Sequence, residues 1–191
     1  SSVVATQIPF HEAYKGVVPE IASRKHTEWI LPVVKEALKE AGETIWSIDG
    51  IAVTSRPGLM GSLLVGLTFA KTLAWACNKP FIAVNHMLGH LYAAHLEQNI
   101  PYPYLGLLVS GGHSIICKVY DFDSIEVLGA TIDDAPGEAF DKVAKFYNLG
   151  YPGGVVIDRL AKNGNPKAAN FPMPVLHEAG RTYDVSYSGL K

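Results

Sequence analysis

Two histidines, His86 and His90, stand four residues apart in the run Asn85-His86-Met87-Leu88-Gly89-His90. On an α-helix that spacing puts both imidazoles on one face, one turn apart, so a single cation can be shared between them. The preceding Pro80-Phe81-Ile82-Ala83-Val84 is a short apolar run that reads as a buried strand. Asn85 is a good N-cap, so the chain should pass directly from that strand into a helix running through His95 and Glu97. This places the pair at the carboxyl end of a sheet, where open α/β sheets bind ligands. A bare H-x-x-x-H is also common on helix surfaces, and zinc or iron wants at least a third protein donor. Met87 occupies the place of the zincin glutamate, which disfavours a metallopeptidase.

Phosphate chemistry has three further candidates. Ser55-Arg56-Pro57-Gly58-Leu59-Met60-Gly61-Ser62 joins a strand to a helix N-terminus, a possible anion site, although a tight βα turn explains it equally. Ser110-Gly111-Gly112-His113 lies between two apolar runs and signals a hairpin, whose bare backbone N–H groups could also cradle a phosphate. Between 133 and 141 fall four carboxylates, Asp133, Asp134, Glu138 and Asp141. A solvated acidic helix start, favoured by the helix dipole, accounts for them; a ribose- or magnesium-binding role is the sharper reading.

The elements that must position these groups follow from periodicity. Residues 1–7 predict an edge strand, and 11–22 a Gly/Pro-punctuated loop. A helix capped by Ser23 or Thr27 then runs to about Ala41, with Trp29-Ile30, Val33-Val34 and Ala37-Leu38 on one face. Pro32 is expected in or near its first turns, and Gly42 stops it. A parallel-type strand over 48–54, a helix from Ser62 to about Asn78 and the strand and helix of the histidine pair complete an alternating α/β layer. The Pro-containing stretch 100–103 marks a domain boundary, giving 1–103 and 104–191. Beyond it come strands over 104–109, 114–120 and 125–130 and a helix to about Tyr147. Tyr151-Pro152-Gly153-Gly154 opens another helix, 155–162, with Asp158 in its first turn. Two Gly- and Asp-rich helix starts after one hairpin could converge on one nucleotide.

Composition excludes several classes. With 48% hydrophobic and 18% charged residues, the 191-residue chain can bury an ample core. Its most apolar stretch, 59–77, contains Ser62, Thr68, Lys71 and Thr72, which argues against a membrane span. No basic, apolar leader opens the chain, and Cys77 and Cys117 lack C-x-x-C spacing, so reduced core thiols of a cytoplasmic protein are expected. The net charge of −2 offers no global footprint for nucleic acid. Lys142, Lys145, Arg159, Lys162 and Lys167 could form a basic face or a merely solvated one.

The ordered motifs GVVPEIASRKH (16–26), RPGLMGSLLVG (56–66), NHMLGH (85–90), LVSGGHS (108–114), DDAPGEAFDKVAK (133–145), YPGG (151–154) and SYSGLK (186–191) resemble the TsaD family across essentially the whole chain. The resemblance implies an actin/Hsp70/sugar-kinase fold of two ribonuclease-H-like α/β domains, incomplete at both ends. It implies transfer of a threonylcarbamoyl group from threonylcarbamoyl-AMP to N6 of adenosine 37 in tRNAs reading codons that begin with A. By motif, His86 and His90 would ligate iron or zinc, Leu108, Val109, Ser110, Gly111 and Gly112 would bind the nucleotide–carbamoyl portion, and Asp141, Gly154 and Asp158 would hold the adenylate. ATP or ADP with magnesium is a further implied ligand. The implied partners are tRNA, a TsaB-like paralogue, a TsaE-like ATPase and a second copy of the chain, without a membrane. The family's E-S-S-C-D-E-T strand, its adenylate-contacting asparagine and its third metal ligand, an aspartate, lack counterparts here, and Lys15 and Arg56 replace small residues. The expectation is therefore a fragment without turnover of its own and with weak metal affinity. A silent scaffold paralogue would lack the histidine pair, and a kinase-like enzyme gives it no role.

Overall fold

The computed structural model describes residues 1–176 and 183–191. By contact the chain divides into two compact units, Ser1–His90 and Leu91–Lys191.

In the first unit, helix α1 (Ile8–Glu12) precedes the long helix α2 (Pro19–Ala41). Residues 1–7 form no strand, and of the stretch 11–22 that sequence assigns to a loop, the first two residues end α1 and the last four begin α2. Helix α2 starts four residues before the earlier of its two expected caps, because Pro19 supplies a preset φ at a position whose N–H needs no partner, and Glu20 sits in the positive first turn. Ser23, expected as a cap, instead donates its hydroxyl to the Pro19 carbonyl. Pro32 consequently lies mid-helix rather than in the first turns. The helix continues through it because its apolar stripe is committed to tertiary packing: Trp29, Ile30, Val33, Val34, Ala37 and Leu38 are half-buried while Lys35, Glu36, Lys39 and Glu40 are exposed. Gly42, at φ 69°, ends it as expected.

Strand β1 (Ile51–Arg56) pairs in parallel with β2 (Phe81–Asn85), in register from Ile51 opposite Phe81 to Thr54 opposite Val84. The β1 ladder opens three residues later than expected, where the Ile51 N–H reaches the Pro80 carbonyl just past Asp49-Gly50. Helix α3 (Met60–Ala76), begun at Met60 rather than Ser62, packs on β1 through Gly66, whose missing Cβ would lie 3.6 Å from Val53. Helices α2 and α3 approach more closely still: a Cβ on Gly61 would stand 2.2 Å from the Ser23 hydroxyl. Helix α4 (His86–Ala93) follows β2 without a loop, and the chain tightens into a 3₁₀ turn over Ala94–Leu96 where a continuous helix was expected.

The second unit is built on an antiparallel sheet of β3 (Tyr104–Val109), β4 (Ser114–Val119) and β5 (Ile125–Ala130). Register runs from Tyr104 opposite Val119 to Val109 opposite Ser114, leaving residues 110–113 as the turn. Helices α5 (Pro136–Phe146) and α6 (Gly153–Ala161) pack on each other. Cys117 and Val119 are fully buried in the sheet, and burial pushes the Cys117 thiol up, so it is inert at neutral pH. Cys77 is half-buried at the end of α3. Segment 183–186 adds to the edge of β5: Val185 bridges Thr131, and its N–H reaches the Ala130 carbonyl at 3.1 Å. Gly129 admits this segment, since a Cβ there would lie 2.2 Å from the Tyr183 carbonyl oxygen.

Candidate functional site

In the first unit, the parallel strand β2 delivers Asn85 to its end, where Asn85 Oδ1 accepts the Met87 N–H at 2.9 Å. That Asx contact turns the backbone directly into α4. Met87 is buried and anchors the first turn, which leaves His86 and His90 on the exposed face. Their Nε2 atoms lie 3.0 Å apart and their ring centroids 4.3 Å apart. One N–H···N hydrogen bond, or two lone pairs directed at one cation, satisfies this contact. Two donors each about 2.1 Å from one ion would subtend close to a right angle at this distance, and the tetrahedral angle of zinc if they opened by a few tenths of an ångström, so the pair can share a metal. Among the described residues no group of three His, Cys, Asp or Glu side chains is assembled, so the pair supplies two donors of the three or four a metal needs.

In the second unit, the hairpin turn is closed by Ser110. Its N–H donates to the His113 carbonyl at 2.8 Å, and its hydroxyl accepts the His113 N–H at 3.1 Å. Leu108 is buried and Val109 exposed, following strand alternation. Gly111 and Gly112 are exposed, with nothing within 4 Å of where a Cβ would stand. The turn rests on the start of α5, whose Glu138 N–H donates to the Gly111 carbonyl at 3.0 Å. A Cβ on Gly137 would come within 2.6 Å of the Gly111 Cα, so only glycine permits this approach. Beside the turn, the Ser114 hydroxyl is buried without a protein partner among the described residues.

Asp141 reaches from α5 to the start of α6, where its Oδ1 accepts the Gly153 N–H at 2.7 Å. This carboxylate caps the helix on which Gly154 stands, and its charge adds to burial in pushing the Tyr151 phenol up. Asp158 lies in the second turn of α6, not the first, because the helix begins at Gly153 rather than Val155. It is exposed and pairs loosely with Lys162 at 3.8 Å.

The acidic stretch before α5 is not the uniformly solvated start that dipole chemistry suggests. Asp133 accepts the Ser186 hydroxyl at 2.5 Å, the Tyr187 N–H at 2.9 Å and the Ser188 N–H at 3.2 Å. Burial opposes its ionisation, but these donors outweigh it and hold the carboxyl below the usual range. Asp134 is buried and takes the ammonium of Lys142 at 2.5 Å on one oxygen and that of Lys191 on the other. Hydrogen bonds from Lys142 and then Lys191 hold its carboxyl below the usual range, and the hydrogen bonds of Lys142 to Asp134 and then Glu138 push that ammonium up. Lys142 also bridges to Glu138 at 2.9 Å. Of the five scattered cations, Lys142 and Lys162 are thus engaged with carboxylates of their own helices. Sequence reasoning did not pair Asp133 and Asp134 with Ser186 and Lys191. The density of carboxylates was a local signal, but contacts across more than fifty residues carry none.

Comparison with known proteins follows the same residues. The family model described as "TsaD: tRNA N6-adenosine threonylcarbamoyltransferase" matches residues 1–191. The tRNA N6-adenosine threonylcarbamoyltransferase of Treponema denticola is 83% identical over 191 residues, covering 100% of this chain and 56% of that protein. Those of Treponema pallidum strain Nichols and Brachyspira hyodysenteriae are 68% and 54% identical, again over the whole chain and over 54% and 56% of their own lengths. The chain therefore spans about half the length of the curated relatives it matches. Among solved structures, YeaZ from Pseudomonas aeruginosa aligns at 22% identity and a TM-score of 0.40, covering 53% of each chain. With the family matched from the first residue to the last, the chain belongs to the TsaD family and contains part of its actin/Hsp70/sugar-kinase α/β fold.

Proposed function

We propose that this chain is part of a tRNA-modifying acyltransferase that moves a threonylcarbamoyl group from threonylcarbamoyl-AMP to N6 of adenosine 37 in tRNAs reading codons that begin with A. The observation that carries the reading is the exposed His86–His90 pair, Nε2 to Nε2 3.0 Å, in a chain that belongs to this family. His86 and His90 hold a divalent iron or zinc ion, and a bound ion of this kind supplies Lewis-acid polarisation of the transferred carbonyl. The remaining roles fall to the second unit. Leu108, Val109, Ser110, Gly111 and Gly112 form the edge and turn that receive the nucleotide–carbamoyl portion, the bare glycine N–H groups facing phosphate oxygens. Asp141, fixed by the Gly153 N–H, Gly154 and the exposed Asp158 hold the adenylate. N6 attacks the carbonyl carbon, the bond to the phosphate oxygen breaks, AMP leaves with that electron pair, and the proton lost from N6 passes to the departing phosphate or to water. No side chain beyond the histidine pair is assigned a catalytic role.

The two ribonuclease-H-like halves are proposed to meet at residues 103 and 104, in the Pro-containing stretch beyond the contact division at His90 and Leu91. tRNA, a TsaB-like paralogue, a TsaE-like ATPase and a second copy are the proposed partners, and ATP or ADP with magnesium a further ligand. A cytoplasmic setting fits these partners; among the described residues no helix is long and apolar enough to cross a membrane.

The test is calorimetric titration of zinc into this chain and into a His86→Ala/His90→Ala variant. Loss of binding in the variant by more than the roughly tenfold that mutating even an outer-shell partner of a ligand costs supports the assignment. Equal binding by the two chains would remove the pair from the site.

A further inference from the structure

Among the described residues of the second unit, Asp133 and Asp134 are the most heavily engaged carboxylates, yet neither belongs to the groups assigned above to metal or adenylate. Among the described residues their side chains are held chiefly by one distant segment and by α5. Asp133 holds three donors of 186–188, and Asp134 holds Lys191 together with Lys142. The same segment is docked upstream, where Asp184 Oδ1 accepts the Ala130 N–H at 2.9 Å and the Val185 carbonyl accepts the Ile132 N–H at 3.0 Å. Two residues after Asp134, α5 begins, and its first turn carries the Gly137 and Glu138 contacts to Gly111. A continuous series of packed and hydrogen-bonded groups thus runs from 183–191 through the acidic pair to the hairpin turn.

We propose that Asp133 and Asp134 are positioning residues that clamp segment 183–191 against the start of α5 and thereby hold the Ser110–His113 turn in the shape that receives the adenylate. The proposal deepens the adenylate reading above and rests on it. The turn itself is short and glycine-rich, so little in it opposes distortion; its shape is held by the Ser110–His113 contacts and by the α5 surface beneath Gly111. Loosening the acidic pair frees the loop 131–135 that sets where α5 begins.

The experiment compares the wild-type chain with Asp133→Ala, Asp133→Asn, Asp134→Asn and Ser186→Ala by residue-resolved amide hydrogen exchange and by calorimetric titration of AMP. In Asp133→Ala and Asp134→Asn the Glu138 and Ser110 amides are expected to exchange faster, while Val119 in the sheet core keeps its protection. AMP affinity is expected to fall about tenfold, the scale on which groups off the ligand modulate a site. Asp133→Asn keeps a carbonyl acceptor for Tyr187 and Ser188 and should bind AMP within about threefold of wild type, a rescue that charge loss alone would not produce. If Asp133→Ala unfolds the unit, Ser186→Ala, which removes a single hydroxyl from Asp133, should show the same ordering of amides at smaller amplitude. Unchanged Glu138 and Ser110 protection, with faster exchange confined to Tyr187 and Ser188, overturns the clamp. Absence of AMP binding by the wild-type chain overturns the adenylate reading instead, and the exchange data still decide whether the clamp reaches the turn.

Discussion

Asp134 shows how a residue's surroundings decide its chemistry. Its side chain is 9% exposed, against 46% and 29% for its partners Lys142 and Lys191. A carboxylate in that position must be ionised and paired, because an unpaired buried charge is far costlier than the pair is favourable. The linkage has a definite sign. A carboxyl held below its ordinary pKa of about 3.9 contributes stability that is full above that value and is lost as pH falls through the lowered one. Asp134→Asn is therefore expected to cost about 1 kcal/mol, a charge-assisted hydrogen bond discounted for exposed lysine partners. In urea unfolding the gap between the two chains should hold from pH 7 to pH 5 and narrow below about pH 4. A gap that stays constant down to pH 3 would show that the Asp134 charge contributes nothing.

Among the elements, α2 departs most from local expectation. A proline at an interior position removes one backbone hydrogen bond and crowds the preceding turn, a cost of about 3 kcal/mol in an exposed helix. Pro32 is exposed, and the helix runs nine residues beyond it to Ala41 because its stripe packs beside α3. Pro32→Ala is expected to stabilise the chain, by about 1–2 kcal/mol once the greater freedom of the unfolded alanine chain is subtracted. Thermal unfolding should shift upward by about 3–6 °C for a chain of this size. A lower midpoint would mean that the proline shapes α2 in a way the packing requires.

For the whole molecule the decisive quantity is the donor set. In the proposed metal site His86 and His90 would be two donors, and among the described residues no third His, Cys, Asp or Glu joins them. The chain also spans about half the length of the relatives it matches. Incubated with threonylcarbamoyl-AMP and tRNA, these 191 residues are expected to yield no modified adenosine detectable by nucleoside mass spectrometry. Product formation would show that the site is complete within the chain. Zinc should bind in the micromolar range or weaker, since each missing ligand removes several kcal/mol from a complete site's roughly 10–16 kcal/mol.

Local rules were enough for much of this protein. Alternation and glycine placement located β3, β4 and β5 within a residue, because a hairpin's signals lie within a few residues of each other. Asn85 marked the passage from β2 to α4, and four-residue spacing brought His86 and His90 together on one helix face, since both depend on one helical turn. Tertiary structure decided what spacing cannot encode. It kept α2 helical through Pro32, left residues 1–7 out of any strand, and set Asp158 in the second turn of α6. It also turned Asp133 and Asp134 from an acidic helix start into the anchor of a segment more than fifty residues away. Burial and long-range pairing are properties of the packed chain, and a carboxylate's partners are chosen there.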